Sequence, residues 1–257
     1  MSDFPIIIPL CVGVFPKFEV SSFLYGRHQG KKEDFPCIMF VIKAGTHTIV
    51  VDTGPYDEEK ATKLHVPLKR PQEMEPVQAL KSIGVDSDEV DLVILSHLHW
   101  DHCGNCKMFK NATFLVQKDE LQYAVAPNPV QQTQYDLGFE GVQPSWMEVL
   151  DQIQTVDGDV DDVVKGVHLV KLPGHTPGLM GVAVETQKGV HVIASDCIPL
   201  NVNWLGDAKQ KHIPNGIHIN LEDFQYSFEK LERIANVVLA SHDFETLKHK
   251  QYPVLDE

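Results

Sequence analysis

Between residues 96 and 102 the chain reads Ser96-His97-Leu98-His99-Trp100-Asp101-His102, which packs four metal-grade ligands into six consecutive positions. The preceding Val90-Asp91-Leu92-Val93-Ile94-Leu95 is apolar and β-branched, the pattern of a strand buried on both faces. A tight loop at such a strand end can aim all four side chains inward. Imidazole and carboxylate suit zinc and related first-row ions. The fold therefore has to gather a sheet edge and its loops around cations.

Four more candidates each follow an apolar strand-like run. His175 sits in Pro173-Gly174-His175-Thr176-Pro177-Gly178, where the two Pro/Gly pairs predict a sharp turn that presents the imidazole. Asp196 ends Val192-Ile193-Ala194-Ser195-Asp196, His242 ends Val237-Val238-Leu239-Ala240-Ser241-His242, and Asp52 ends Ile49-Val50-Val51-Asp52. Any one of these alone reads more simply as a satisfied polar residue. Taken together, in contexts that put strand ends on one edge, they argue for a metal centre.

Strand-like segments recur at 6–12, 37–43, 48–52, 92–95, 113–117, 168–171, 180–185, 190–195 and 237–240. Helical spacing appears at 74–83, 118–126 and 221–234, the last repeating Leu221, Phe224, Phe228, Leu231 and Ile234 on one face. Strands with both faces apolar, interleaved with helices, predict an α/β chain in which two sheets pack together between outer helices, a four-layer αββα sandwich. We read residues 1–257 as one domain. Segments 14–35, 55–73 and 199–220, rich in Pro, Gly and polar residues, read as long loops, where binding specificity usually resides.

The formal charge of -14 repels phosphate backbones, and no Lys/Arg cluster interleaves with aromatics, so nucleic acid is excluded as a partner. The apolar run from Phe4 to Val14 lacks a basic leader and is broken by Pro5 and Pro9, so we expect neither export signal nor membrane span, and a cytoplasmic location. Five cysteines, an odd number, argue against a disulfide framework. Cys103-Gly104-Asn105-Cys106 has redox or zinc spacing, but as a lone pair it reads as packing. Cys197 neighbours Asp196; strand alternation would turn the two to opposite faces, leaving Asp196 as the ligand. His28, His47, His65, His168, His191 and His249 read as surface or supporting residues.

The order His-x-His-x-Asp-His, Gly-His-Thr-Pro-Gly, strand-final Asp and Ser241-His242-Asp243 resembles the metallo-β-lactamase superfamily over essentially the whole chain. With Val51-Asp52-Thr53-Gly54 and the 96–102 loop it resembles the N-acyl-homoserine lactonase and 4-pyridoxolactonase group. The resemblance implies a first ion on His97, His99 and His175, and a second on Asp101, His102 and His242. Asp196 would bridge them, and Asp52 would orient a ligand imidazole from behind. Two divalent ions are implied, zinc first, with Mn, Fe or Co also compatible with these ligands. A water held between them would open a lactone, Asp101 moving its proton to the leaving alkoxide. A small-molecule substrate and a homodimer are further implications.

One departure stands out. Lactonases of this group typically carry a Tyr three residues after the bridging Asp, and Pro199 occupies that position. Losing such an oxyanion donor typically costs ~3–4 kcal/mol, so Tyr25, Asn201, Asn203, Trp204, His212 and His218 are candidates to line the substrate pocket instead. Hydrolysis of another ester, a cyclic amide or a phosphotriester on the same centre is the alternative reading. A metal-stabilised binding or sensor protein is the non-enzyme one; it is disfavoured because structural zinc sites are closed and four-coordinate. Diiron redox chemistry would require Glu where His99 stands.

Overall fold

The computed structural model describes residues 4–255; the few outer positions of the 1–257 reading lie outside the described residues. The first sheet orders β1 (Ile6–Glu19), β2 (Lys32–Ala44), β3 (His47–Val51), β4 (Leu92–Ile94), β5 (Thr113–Gln117) and β6 (Ile153–Val156) side by side. The second contains β7 (Val160–Val164), β8 (Val167–Lys171), β9 (Met180–Thr186), β10 (Gly189–Ile193) and β11 (Val237–Leu239), in the order β11-β10-β9-β8-β7. Helices α1 (Glu58–Leu64), α2 (Pro76–Ser82), α3 (Trp100–Cys103), α4 (Lys118–Val125), α5 (Asn201–Leu205) and α6 (Leu221–Ile234) complete the expected αββα layering.

Three apolar clusters account for the layers. Ile7, Phe40, Ile42, Ile49, Val51 and Ile94 of the first sheet meet Leu169, Val182, Val184 and Ile193 of the second. Their strand neighbours Met39, Val41, Val50 and Val93 face outward onto Ala61, Leu80 and Ala124 of α1, α2 and α4. Across the molecule Val170, Ala183 and Val192 pack on Phe224, Phe228 and Leu231 of α6. Strand side chains alternate between faces, so a strand covered on both sides has to be apolar at every position. Burying each large side chain contributes on the order of 1.5–3 kcal/mol.

The topology puts the chemistry on one edge. Strands β3, β4, β5 and β6 are mutually parallel. In the second sheet β8 and β10 both oppose β9, and β10 parallels β11, so these three also run one way. The segments carrying Asp52, the 96–102 loop, His175, Asp196 and His242 leave the ends of β3, β4, β8, β10 and β11.

The expected loops are more structured than their composition suggested. β1 continues to Glu19 and β2 begins at Lys32, which shortens the first loop from both sides. Register shifts after Cys11 and Phe15, together with the edge position of β1, accommodate Pro16, which has no N–H to give. Helix α1 lies within 55–73, started by Asp57, whose side chain accepts the Lys60 N–H; α5 lies within 199–220. Strands β6 and β7 were not anticipated, because their short, half-polar sequences lack a clean alternation.

Candidate metal centre

After β4 the chain stays extended through His99, then turns into α3, where the His102 and Cys103 N–H groups both donate to the His99 carbonyl. This puts His97, His99, Asp101 and His102 around one point. The second half of the site depends on two close approaches. Gly174, at φ +138°, carries the turn against α6, and a Cβ there would come within 2.6 Å of the Phe224 ring. At Gly178 an added Cβ would lie 2.2 Å from the Glu120 backbone nitrogen. The glycines of the Gly-His-Thr-Pro-Gly segment thus let α4 and α6 clamp it and fix His175.

Donor atoms of His97, His99 and His175 gather within 4.8 Å of one another, as do those of His97, His102 and Asp196, and those of Asp101, His102 and His242. The first three rings form a near-equilateral group, their centroids 4.6, 4.7 and 4.8 Å apart. Asp196 stands between the groups. Its Oδ1 is 3.2 Å from Nε2 of both His102 and His242, and its Oδ2 is 3.4 Å from His175 Nε2. Asp101 Oδ2 lies 3.7 Å from His102 Nε2 and 3.9 Å from His242 Nε2.

The far nitrogens are held from behind. His102 Nδ1–H donates to Asp52 Oδ2 at 2.8 Å, His242 Nδ1–H to the Pro36 carbonyl at 2.9 Å, and His175 Nδ1–H to the Ile217 carbonyl at 2.7 Å. Asp52 also accepts the Ser96 N–H and hydroxyl, both at 2.8 Å, and the Ser96 hydroxyl lies 3.0 Å from His97 Nδ1. One carboxylate therefore aligns imidazoles of both groups, from a left-handed backbone at φ +60°. His99 is turned the other way, with Nδ1 2.9 Å from His175 Nε2 and its ring 4.8 Å from that of Tyr135.

The donor set fits cations. Nε2 of His97, His102 and His242 is buried without a hydrogen bond; the Asp196 oxygens are near two of them but off the N–H axis. Each such orphan costs about 1–3 kcal/mol, a cost removed by a cation that takes the lone pairs. Burial, then the neighbouring imidazoles, pushes His97 and His99 far below the usual imidazole range, and burial lowers His175 too, so these rings are neutral as ligands must be. Burial opposes a charge on His102, yet Asp101, Asp196 and Asp52 outweigh it and push its pKa up, so protons compete with a cation for that ring. Burial works against ionised Asp196 as well, but His102, His242 and His175 keep it a carboxylate. A cation can bind only the ring whose Nε2 is unprotonated, so affinity falls in acid.

Glu120 supports the centre from α4. Its Oε1 accepts the Leu98 N–H at 3.0 Å and the Tyr135 hydroxyl at 2.9 Å, bracing the loop between His97 and His99. Burial raises its pKa above the ordinary value. The native state then holds this proton at pH values where the unfolded chain has released it, so stability falls as pH rises from about 4.5 through the raised value. In metal-free Glu120→Gln, urea unfolding across this window is expected to show a flatter pH dependence than the parent; an unchanged slope would rule this assignment out.

A cavity of about 280 Å³ opens onto His99, Asp101, His175 and Asp196, with Phe15, Phe18, Phe23, Val66 and Ile217 as apolar wall. The six pocket candidates do not line it. Asn203 is fully buried, its amide donating to the Phe23 and Ile213 carbonyls while its oxygen accepts the Leu200 N–H. Trp204 stacks on His212, whose ring is held between the Trp204 carbonyl and Glu232. Tyr25 meets the His218 ring edge-on at the surface, and the Asn201 N–H donates to Asp243. Hydrogen bonds and ring contacts hold these side chains elsewhere, and of their chain neighbours Ile217, beside His218, lines the cleft. Cys197 is apart from Asp196 because both sit in a 3-10 turn, Ser195–Cys197, and not in a strand; its side chain joins the core under α6. All five cysteines are free.

Glu120 and Asp136 are supporting residues that sequence reasoning missed, while His65, read as a surface or supporting residue, is part of the cavity wall. His65 lines the cavity, and its Nε2–H donates to Asp136 Oδ1 at 2.8 Å. Nothing local marks them: Glu120 sits in an ordinary first helical turn, and the 71-residue separation of His65 and Asp136 leaves no pattern.

Comparison with known proteins identifies the family and the fold. A family model described as metallo-beta-lactamase superfamily matches residues 33–242. An N-acyl homoserine lactonase of Bacillus sp. is 30% identical over 219 residues, covering 82% of this chain and 79% of its own. N-acyl homoserine lactonase AiiA of Bacillus thuringiensis subsp. kurstaki is 28% identical over 173 residues, just under two thirds of either chain at 64%. Among solved structures, a quorum-quenching N-acyl homoserine lactone lactonase superposes with a TM-score of 0.75 at 22% identity, covering 96% of this chain and 95% of that one. AidC, described as a dizinc quorum-quenching lactonase, gives 0.70 at 17% identity over 95% and 89%. The chain belongs to the metallo-beta-lactamase superfamily.

Proposed function

We propose that this protein hydrolyses lactones, N-acyl-homoserine lactones first among them, on a centre of two divalent ions. The observation that carries the reading is the single carboxylate of Asp196 set between two imidazole groups, one oxygen towards each. His97, His99 and His175 would hold one ion, Asp101, His102 and His242 the other, and Asp196 both. When bound, such ions supply Lewis acidity that activates water and polarises a carbonyl near neutral pH. Zinc is the first expectation, as AidC is described as dizinc.

The chain's own residues supply the rest. The Asp52–Ser96 network keeps His102 and His97 in the tautomers that present Nε2. Asp101 is mostly buried but lines the cavity, with Oδ2 turned towards His102 and His242. In this reading the Asp101 carboxylate would take a proton from the attacking water and pass it to the leaving alkoxide. Phe15, Phe18 and Phe23 exclude water and suit an apolar acyl chain; the cavity size suits a small substrate.

Among the described residues no helix is long and apolar enough to cross a membrane. We place the protein in the cytoplasm, where its free thiols stay reduced, as one catalytic domain acting on a small molecule.

Chelation followed by add-back tests the function. Metal-stripped protein is expected to lose turnover of N-hexanoyl-homoserine lactone and to regain it with Zn, Mn or Co at two ions per chain. Turnover that survives stripping, or never appears on any of a panel of lactones, cyclic amides and phosphotriesters, would defeat the reading.

A further inference from the structure

Outside the metal-grade cluster, one titratable side chain lines the cavity among the described residues: His65. It is built in with care for a residue at a helix end. Its ring lies flat on the Trp100 indole, centroids 4.2 Å apart and planes 2° from parallel, and the Phe139 ring meets it edge-on at 5.5 Å. Behind it Nε2–H donates to Asp136 Oδ1 at 2.8 Å. Asp136 Oδ2 accepts the Tyr56 hydroxyl at 2.5 Å, and the Tyr56 oxygen accepts the Ser145 N–H at 3.2 Å. The Asp136 side chain is 1% exposed and its backbone is left-handed, at φ +58°. A strained backbone with a buried carboxylate aimed at one ring nitrogen fixes the tautomer of that ring.

Committing the Nε2 hydrogen to Asp136 leaves Nδ1 with a lone pair, and no donor among the described residues reaches it. The ring therefore brings a hydrogen-bond acceptor to the cavity. Pro199 contributes no polar side chain, and outside the ligand cluster the polar lining of the cavity is His65, Thr133 and Gln134; of these His65 is the one fixed by a buried carboxylate and stacked on Trp100, with which it forms one wall. A substrate with its carbonyl at the ligand cluster and its tail along the phenylalanines carries its linking group past this wall.

We propose that His65, held in its acceptor tautomer by Asp136, determines specificity by accepting the N–H of an acylamino group beside the scissile lactone. Asp136 is the positioning residue. The assignment rests on the lactonase reading and adds the substrate group that the site selects.

The test compares N-hexanoyl-homoserine lactone with a γ-alkyl lactone of similar length and no amide, using metal-loaded parent, His65→Phe, His65→Gln and Asp136→Asn. His65→Phe, which keeps an aromatic ring over Trp100, is expected to lower the kcat/KM preference for the acylamino lactone about 10- to 100-fold, mainly through KM. His65→Gln, which retains an acceptor, restores part of it, and Asp136→Asn lowers the same ratio. Nitrogen-15 imidazole shifts are expected to show Nδ1 unprotonated in the parent. Equal losses on both lactones, an unchanged ratio, or a protonated Nδ1 would each overturn the assignment while leaving the lactonase reading intact. No turnover of either lactone by the parent would overturn both.

Discussion

Asp196→Asn is expected to lower kcat/KM on N-hexanoyl-homoserine lactone by about 10³-fold and to reduce bound metal from two ions towards one per chain. The substitution keeps the shape of the side chain but removes its charge and turns one carboxylate oxygen into an amide that donates. In the native arrangement each oxygen faces one imidazole group: Oδ1 lies 3.2 Å from His102 and His242 Nε2, Oδ2 3.4 Å from His175 Nε2. Asparagine can serve only one side. A loss of about 4 kcal/mol in Lewis-acid stabilisation corresponds to about three powers of ten in rate. Ser241, whose hydroxyl donates to Asp196 Oδ1 at 2.9 Å, also loses a charged acceptor. Kinetics and elemental analysis on the same preparation decide it; two tightly held ions with parental turnover would refute the shared role of Asp196.

The second large effect is expected for Asp101→Asn: kcat lower by about 10²- to 10⁴-fold, the usual range for a removed proton-transfer group, with KM little changed. Asp101 lies farther from its imidazole neighbours, at 3.7 and 3.9 Å, than Asp196 does, so the amide variant is expected to retain most of its metal. Low kcat with near-parental metal content separates proton transfer from ligation. A variant as fast as the parent would eliminate the proton role, and one that is slow only because it has lost metal would reduce Asp101 to a ligand.

Reading the sequence succeeded where the signal is local. Histidines two apart after an apolar strand, a Pro/Gly-bounded His and polar residues at strand ends all report a conformation set within about six residues. Backbone geometry then dictates where their side chains point. Helix α6 coincides with its expected span for the same reason, since its apolar face repeats over fourteen residues. The reading failed where pairing or packing across the fold decides. Composition made 14–35 a loop, yet the β1–β2 ladder overrides Pro16 through register shifts. The sequence leaves His65 open between a surface and a supporting residue; a buried carboxylate 71 positions away and the indole of Trp100 decide for the second. Asn203 and Trp204 were candidates for the pocket because they follow Asp196; the core needs them as a backbone clasp and an apolar cover.

The order and chemistry of the candidate ligands, and hence the kind of reaction they could support, were thus already written in the linear chain, because each is presented by a strand end or by the short segment that follows one. The walls of the cavity, the tautomers of its histidines and the group that reads the substrate were decided only by tertiary structure. They depend on side chains from Phe15 to Ile217 that meet without any common spacing, and on hydrogen bonds whose partners lie tens to hundreds of residues apart.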